Sequence, residues 1–149
     1  MNDTQKQEIF RQSTNIVVLG LSPDNTKPSY QVAHYLQTQG YCIVPVYPRG
    51  GEILGEKAYR SLYEALYSMQ QNKKSCDIIN VFRKSEVLKE VALEIIESSR
   101  EVGCLPKCVW VQLGLRNMQA KSLLTQSGIW YEEDACIKIE HKRLMGSSC

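Results

Sequence analysis

At 149 residues the chain has the length of one domain, large enough to bury roughly two thirds of its unfolded surface. Hydrophobic residues at 43% and charged residues at 23% are an ordinary globular balance, and a net charge of +2 is too small for a nucleic-acid footprint. No apolar run approaches the ~20 residues of a membrane span, and MNDTQKQEIF lacks a signal-peptide core, so the default expectation is a cytoplasmic protein.

Asp3 or Thr4 is placed to cap a first helix to about Gln12, with Thr4 and Gln7 at capping-box spacing. Residues 1–14 are therefore expected to form a helix lying on the main domain, residues 15–144. Ile16 to Leu19 is a short apolar run suited to a buried parallel strand, ended by Gly20. Leu21 to Pro28 is a polar loop, and Ser29 is predicted to cap a helix to about Gln39 with Val32, Ala33 and Leu36 inward. Strand, glycine turn, polar loop and helix N-terminus together form an anion cradle.

Tyr41 to Tyr47 reads as a second strand, and Pro45, which lacks a ladder donor, favours the strand's end or an edge position. Pro48, Arg49, Gly50 and Gly51 follow as a loop. Ser61 and Glu64 make a capping box for a helix to about Gln70, carrying Leu62, Ala65, Leu66 and Met69 inward. A third strand, Asp77 to Phe82, leads through Arg83 into a helix with Ser85 as its expected cap. That helix has the clearest period in the chain: Val87, Leu88, Val91, Ala92, Ile95 and Ile96, ending at Gly103. Lys107 to Leu113 is the fourth strand, and Asn117 caps a helix with Met118, Leu123 and Leu124 expected inward. Ile129 to Glu132 gives a short fifth strand; Asp134 to Leu144 has no assignable class, and residues 145–149 read as a flexible tail.

Strands alternating with helices predict an α/β fold: a Rossmann-like doubly wound parallel sheet of about five strands with helices on both faces. Such sheets bind ligands beyond the carboxyl ends of their strands, where the strand order reverses. That edge collects Gly20, Ser22, Asp24, Asn25 and Lys27 after the first strand, then Pro48, Arg49, Gly50 and Gly51. Phe82, Arg83 and Lys84 follow the third strand; Gln112, Gly114 and Arg116 follow the fourth. Cations thus follow each of the first four strands, beside the Ser29 helix start and apolar shelves at Pro23, Pro48 and Phe82, which favours a polyanionic ligand. G-x-G-x-x-G and the Walker A motif are both missing, and Arg49 stands near the place of the acidic residue that would hold a ribose 2′-hydroxyl. A nucleotide bearing a ribose phosphate fits: coenzyme A through its 3′-phosphate, or NADP through its 2′-phosphate.

The blocks VVLGLSPDNTKPSYQVAHYL, VPVYPRGGEILGEKAYRSL, DIINVFRKSE, VWVQLG and ACIKIEHKRL, in this order, resemble the small single-domain CoA-binding proteins. These are similar to the N-terminal domain of the succinyl-CoA synthetase α subunit, and the resemblance runs from about Asn15 to Leu144. It implies coenzyme A or an acyl-CoA as ligand. The family's adenylate region carries over onto Gly20, Ser22, Pro23, Asp24 and Asn25, with Pro48, Arg49 and Gly50 after the second strand. Val81, Phe82 and Arg83 and then Gln112, Leu113 and Gly114 complete the carried-over set. Ile137 follows Cys136 where the related segment has proline, and the synthetase's second domain with its phosphorylated histidine is missing, so ligase chemistry is not implied.

No catalyst emerges from spacing. His34 is expected on a solvated helix side and His141, among Lys138, Glu140, Lys142 and Arg143, exposed. The six cysteines contain no CxxC, so no metal site is expected; free thiols are, with Cys42, Cys76 and Cys108 acting as small apolar residues and Cys149 exposed. Cys136 is expected to pack at a turn, the alternative being a thiol that faces the site and forms a mixed disulfide with CoA. Tyr35, Tyr59, Tyr63 and Tyr67 read as core or surface aromatics and Trp110 as core. The reading is a CoA-binding domain with a small-molecule ligand and neither a nucleic-acid nor a membrane partner. An NADP-binding redox or sensor domain and a protein-binding scaffold that has lost its ligand are the alternatives.

Overall fold

Fourteen residues of mixed character precede the strand that organises the molecule. The computed structural model describes residues 1–146 and begins with α1 (Asp3–Gln12), followed by β1 (Asn15–Leu19). Every residue of β1 is buried, because the strand is covered on both sides. Ile16 and Val18 pack with Phe10, Val32 and Ile137, whereas Val17 and Leu19 pack with Leu66, Ile95 and Leu124. Each fully buried side chain of this size contributes about 1.5–3 kcal/mol.

After β1 come α2 (Pro28–Thr38) and β2 (Cys42–Val46), then a hairpin of β3 (Glu52–Ile53) and β4 (Glu56–Lys57). The chain continues through α3 (Leu62–Gln71), β5 (Ile78–Val81), α4 (Leu88–Val102) and β6 (Cys108–Val111). It ends in α5 (Met118–Gln126), β7 (Trp130–Glu132) and α6 (Ile137–Met145). Five parallel strands stand in the order β2-β1-β5-β6-β7, the Rossmann-like arrangement predicted. β2 is an edge strand, where Pro45 opposite Val18 loses no partner on its outer side. α1, α2 and α6 cover one face, and α3, α4 and α5 the other. The direction of winding reverses between β1 and β5, which is therefore the switch point.

The opposite edge of the sheet is fixed by Asp77, which is 1% exposed. Its Oδ2 accepts the N–H groups of Thr14 (2.8 Å) and Asn15 (2.9 Å), and Lys107 pairs with Oδ1 at 3.2 Å. Burial pushes this carboxyl up, but those donors outweigh it and leave Asp77 below the ordinary value.

Several helix starts differ from expectation. α1 is capped by Asn2, which exchanges hydrogen bonds with Gln5, so the reciprocal pair lies two residues ahead of Thr4 and Gln7. α2 is preceded by Lys27 rather than capped by Ser29, because Pro28 takes the first helical position with its preset φ. Ser85 opens a 3-10 turn (Ser85–Val87) ahead of α4, and its hydroxyl accepts the N–H of Arg116 instead of capping the helix. Asn117 does cap α5, but Met118 points outward at 86% exposed.

The segment from Asp134 that had no class is α6 from Ile137, and it overturns the expectation for His141. That ring is 5% exposed, its Nδ1 is 2.7 Å from the Tyr35 hydroxyl, and Phe10, Tyr35 and Tyr41 meet it edge-on. The neighbouring charges lie on the outer side of the helix, where Arg143 binds Asp3 and Glu140. Met145 closes α6; residues 147–149, including Cys149, lie outside the described residues. Among the described residues no helix is long and apolar enough to cross a membrane.

Candidate functional site

Gly20 holds the switch point together. Its φ of 83° is a conformation that side chains resist, and a Cβ there would lie 2.5 Å from the Phe82 carbonyl oxygen. The close approach is stitched by Phe82 N–H donating to Leu19 O (2.9 Å) and Gly20 N–H donating to Val46 O (3.2 Å). The loop behind Gly20 closes on itself. Ser22 N–H donates to the Ser29 hydroxyl (3.0 Å), and Asp24 N–H to the Ser22 hydroxyl (3.1 Å). Asp24 Oδ1 accepts both the N–H and the hydroxyl of Thr26, which holds its carboxyl below the usual range. Two of the amides expected to face a phosphate are thus used inside the loop.

The remaining donors are at the start of α2. No side chain caps it, Pro28 has no N–H, and the first helical bond comes from Gln31 to Lys27. The Ser29 and Tyr30 N–H groups therefore lack helical partners, at the positive end of the helix. α6 starts in the same way: Cys136 precedes it, and no side chain caps it.

Two clefts meet at this edge. The first, about 660 Å³, lies between the starts of α2 and α6 and beyond the ends of β5 and β6. Val32, Phe82, Leu113, Leu115 and Ile139 give it apolar walls; Gln31, Arg83, Lys84, Gln112, Cys136 and Lys138 are its polar groups. Gln112 is 7% exposed, its Oε1 is without a hydrogen-bond partner among the described residues, and no side-chain bond of its amide appears among them. The second cleft, about 390 Å³, lies toward α3 and α4, with Gly20, Ser22, Pro48, Arg60 and Arg83 on its walls. Arg83 borders both.

The predicted residues distribute unevenly over this geometry. Gly20, Ser22, Pro48, Phe82, Arg83, Gln112 and Leu113 line one cleft or the other. Pro23, Asp24, Asn25 and Lys27 are exposed on the loop above them, while Ser29 is buried beneath it. Arg49 is exposed and lines neither cleft; Gly50 (φ 67°) packs against Arg60, whose Nε would lie 3.1 Å from a Cβ there. Val81 is fully buried in the core toward α4. Gly114 N–H donates to Asp134 Oδ1 (2.7 Å), and Arg116 also pairs with Asp134, which takes that cation out of the expected rim.

Arg60 was missed because the β3–β4 hairpin that returns it to the second strand is too short to show a period. Lys138 and Ile139 were missed as wall residues because α6 carried no readable pattern. The start of that helix is nonetheless fixed: Trp110 Nε1–H donates to Ala135 O at 2.9 Å, and Cys136 O accepts Glu140 N–H at 3.0 Å. Cys136 is half-buried: it packs against the core at the turn before α6, as expected, and also borders the first cleft, which was the alternative.

These features agree with what the chain resembles. It is 38% identical over 135 residues, 91% of this chain and 90% of the relative, to the uncharacterized protein YneT of Bacillus subtilis (strain 168). A structure described as cell-free ID.343 from Thermus thermophilus superposes with a TM-score of 0.83 at 35% identity, covering 97% of this chain and 99% of the other. A hypothetical protein from Pyrococcus horikoshii OT3 gives 0.82 at 27% identity over 98% and 94% of the two chains. The profile described as CoA binding domain matches residues 14–142, and the chain belongs to that family.

Proposed function

We propose that the chain binds coenzyme A or an acyl-CoA across the switch point between β1 and β5, as a binding domain without an assigned catalytic step. The observation that carries this reading is the pair of unlike clefts joined at Arg83, beside a helix start with no side-chain cap. The second cleft, with Arg60 and Arg83, suits the phosphorylated nucleotide, and the Ser29 and Tyr30 N–H groups suit the diphosphate. The first cleft suits the pantetheine arm, a flexible chain carrying two amides and a thiol. Its apolar walls would cover the chain's methylenes, and Gln112 offers an amide a matching donor and acceptor.

In this reading Arg60, rather than Arg49, is the principal partner of the ribose phosphate. Calorimetric titration of the purified protein with CoA, dephospho-CoA and NADP tests it. CoA is expected to bind more tightly than dephospho-CoA or NADP. Equal affinity for CoA and dephospho-CoA overturns the role of the ribose phosphate, tighter NADP binding favours the redox or sensor alternative, and no binding overturns the reading.

A further inference from the structure

We propose, resting on the CoA reading above, that Cys136 exchanges disulfides with the bound cofactor: the protein takes up oxidised CoA as a mixed disulfide and releases reduced CoA. The described cysteines sort by position. Cys76, Cys104 and Cys108 are buried, and Cys42 lies on the edge strand beside Glu56 and Lys57, away from both clefts. Cys136 is free, half-buried, and on the wall of the cleft assigned to the thiol-bearing arm.

A second feature of that cleft points to the same occupant. Gln112 is 93% buried by its 7% exposure, lines the cleft with Cys136, and holds an Oε1 with no partner among the described residues. A buried amide is costly to leave unpaired, and an amide-bearing chain lying between Val32 and Ile139 would satisfy it. Cys136 lines the same cleft as Gln112, so a thiol-bearing chain paired with that amide would share the cleft with the Cys136 sulfur. The cysteine itself is held in place: the residue before it is bonded to Trp110, and its own carbonyl begins α6.

The reaction balances without an outside oxidant beyond the disulfide itself. The Cys136 thiol loses its proton and its sulfur attacks one sulfur of symmetrical CoA disulfide. The original S–S bond breaks, a new one forms between Cys136 and one CoA, and the second CoA leaves as a thiolate that takes up a proton. Two sulfurs remain oxidised throughout. A further thiol attacking the Cys136 sulfur expels the bound CoA as a thiolate and is left in disulfide with Cys136; a second thiol then frees Cys136, and the two thiols leave as their own disulfide.

The test uses the full chain, freed of reductant, with CoA disulfide and in parallel with glutathione disulfide, read by intact mass and peptide mapping. Cys42→Ser and Cys149→Ser provide a background in which those thiols cannot react. The expected result is one CoA adduct on the peptide containing Cys136, removed by dithiothreitol. It should form faster than the glutathione adduct by on the order of a hundredfold, because binding raises the local concentration of the disulfide. Cys136→Ser, and Cys136→Ala should the serine variant fail to fold, is expected to form no adduct. Equal rates with the two disulfides, or an adduct confined to other cysteines, overturn the proposal. An unmodified protein that binds CoA by calorimetry under reducing conditions overturns the exchange while leaving the CoA reading intact. Failure to bind CoA under those conditions removes both.

Discussion

The two clefts share Arg83 and differ in the other residues that line them. The one toward α3 and α4 is bounded by Gly20, Ser22 and two arginines, with Leu62, Val91 and Glu94 on its helical side. The one toward α2 and α6 is larger, walled mainly by apolar side chains, and carries a buried amide and a thiol beside Arg83, Lys84 and Lys138. A ligand uniform in character would fit one and be mismatched to the other. A ligand that is polyanionic at one end and amide-bearing and apolar toward the other fits both, and Arg83 between them requires no separate site. On the proposed reading, the difference in lining assigns each end of the ligand to its own cleft.

The strongest way to break the comparison is to push apart Gly20, on the wall of one cleft, and Phe82, on the wall of the other. Gly20→Ala places a methyl 2.5 Å from a backbone carbonyl at φ 83°, so the β1 turn and the Phe82 turn must move apart. The expected cost is about 2–4 kcal/mol of stability, read by chemical denaturation, with CoA binding lost at protein concentrations where wild type is saturated. A variant of wild-type stability that still binds CoA would mean that the close approach does not shape the site.

The next effect distinguishes the arginines. Arg60→Ala is expected to weaken CoA by about 1.5–3 kcal/mol and dephospho-CoA by much less, whereas Arg49→Ala changes both only slightly. Calorimetry on the two variants decides between them. A larger loss from Arg49→Ala would restore the assignment that follows from the sequence alone.

That contrast shows how far the sequence could be read. The five parallel strands and their two-sided burial were legible, because VVL, IIN and VWV are apolar runs with β-branched content and are separated by helical periods. The turn at Gly20 was legible because a glycine ending such a run has few other uses. Arg60 was not, since its position depends on a hairpin of two-residue strands turning through Leu54 and Gly55. His141 was misread for a related reason. The charges around it suggest an exposed segment, yet Lys6 lies 2.7 Å from Glu140 and Arg143 binds Asp3, so those charges pair with α1 at the rim of a buried ring. Helix caps failed where two candidates lay within a few residues, as with Asn2 against Asp3 or Thr4, because propensity scarcely separates them.

A smaller effect sharpens the apolar cleft. Gln112→Leu removes a buried amide with no partner and replaces it with a side chain of similar size. The free protein should be stabilised by up to about 1 kcal/mol, while CoA binding weakens by about 1–2 kcal/mol. Opposite signs in a melting experiment and a titration would assign Gln112 to the ligand. A variant that loses both stability and affinity would instead mark the residue as part of the packing.

The smallest expected effect is one of pH, and it falls on one cleft only. His141 holds α6 against α1 and α2 through Phe10 and Tyr35, and the titratable or charged groups around it are Tyr35, Tyr41, Lys138 and Lys142. Burial keeps its folded pKa below the ordinary 6.5, and the Glu140 and Asp3 carboxylates at the rim of the ring are paired with Lys6 and Arg143. The unfolded chain therefore binds a proton that the folded chain resists, so stability declines as pH falls through 6.5 toward the lower folded value. Between about pH 7 and pH 6 the decline is at most about 0.7 kcal/mol. His141→Phe, which keeps an aromatic ring against Phe10 but cannot be protonated, should flatten that part of the stability curve. Because α6 carries Cys136, Lys138 and Ile139, hydrogen exchange over the same pH interval should rise in α6 before it rises in the loop around Gly20. A uniform rise across both regions would mean that the two clefts open as one unit.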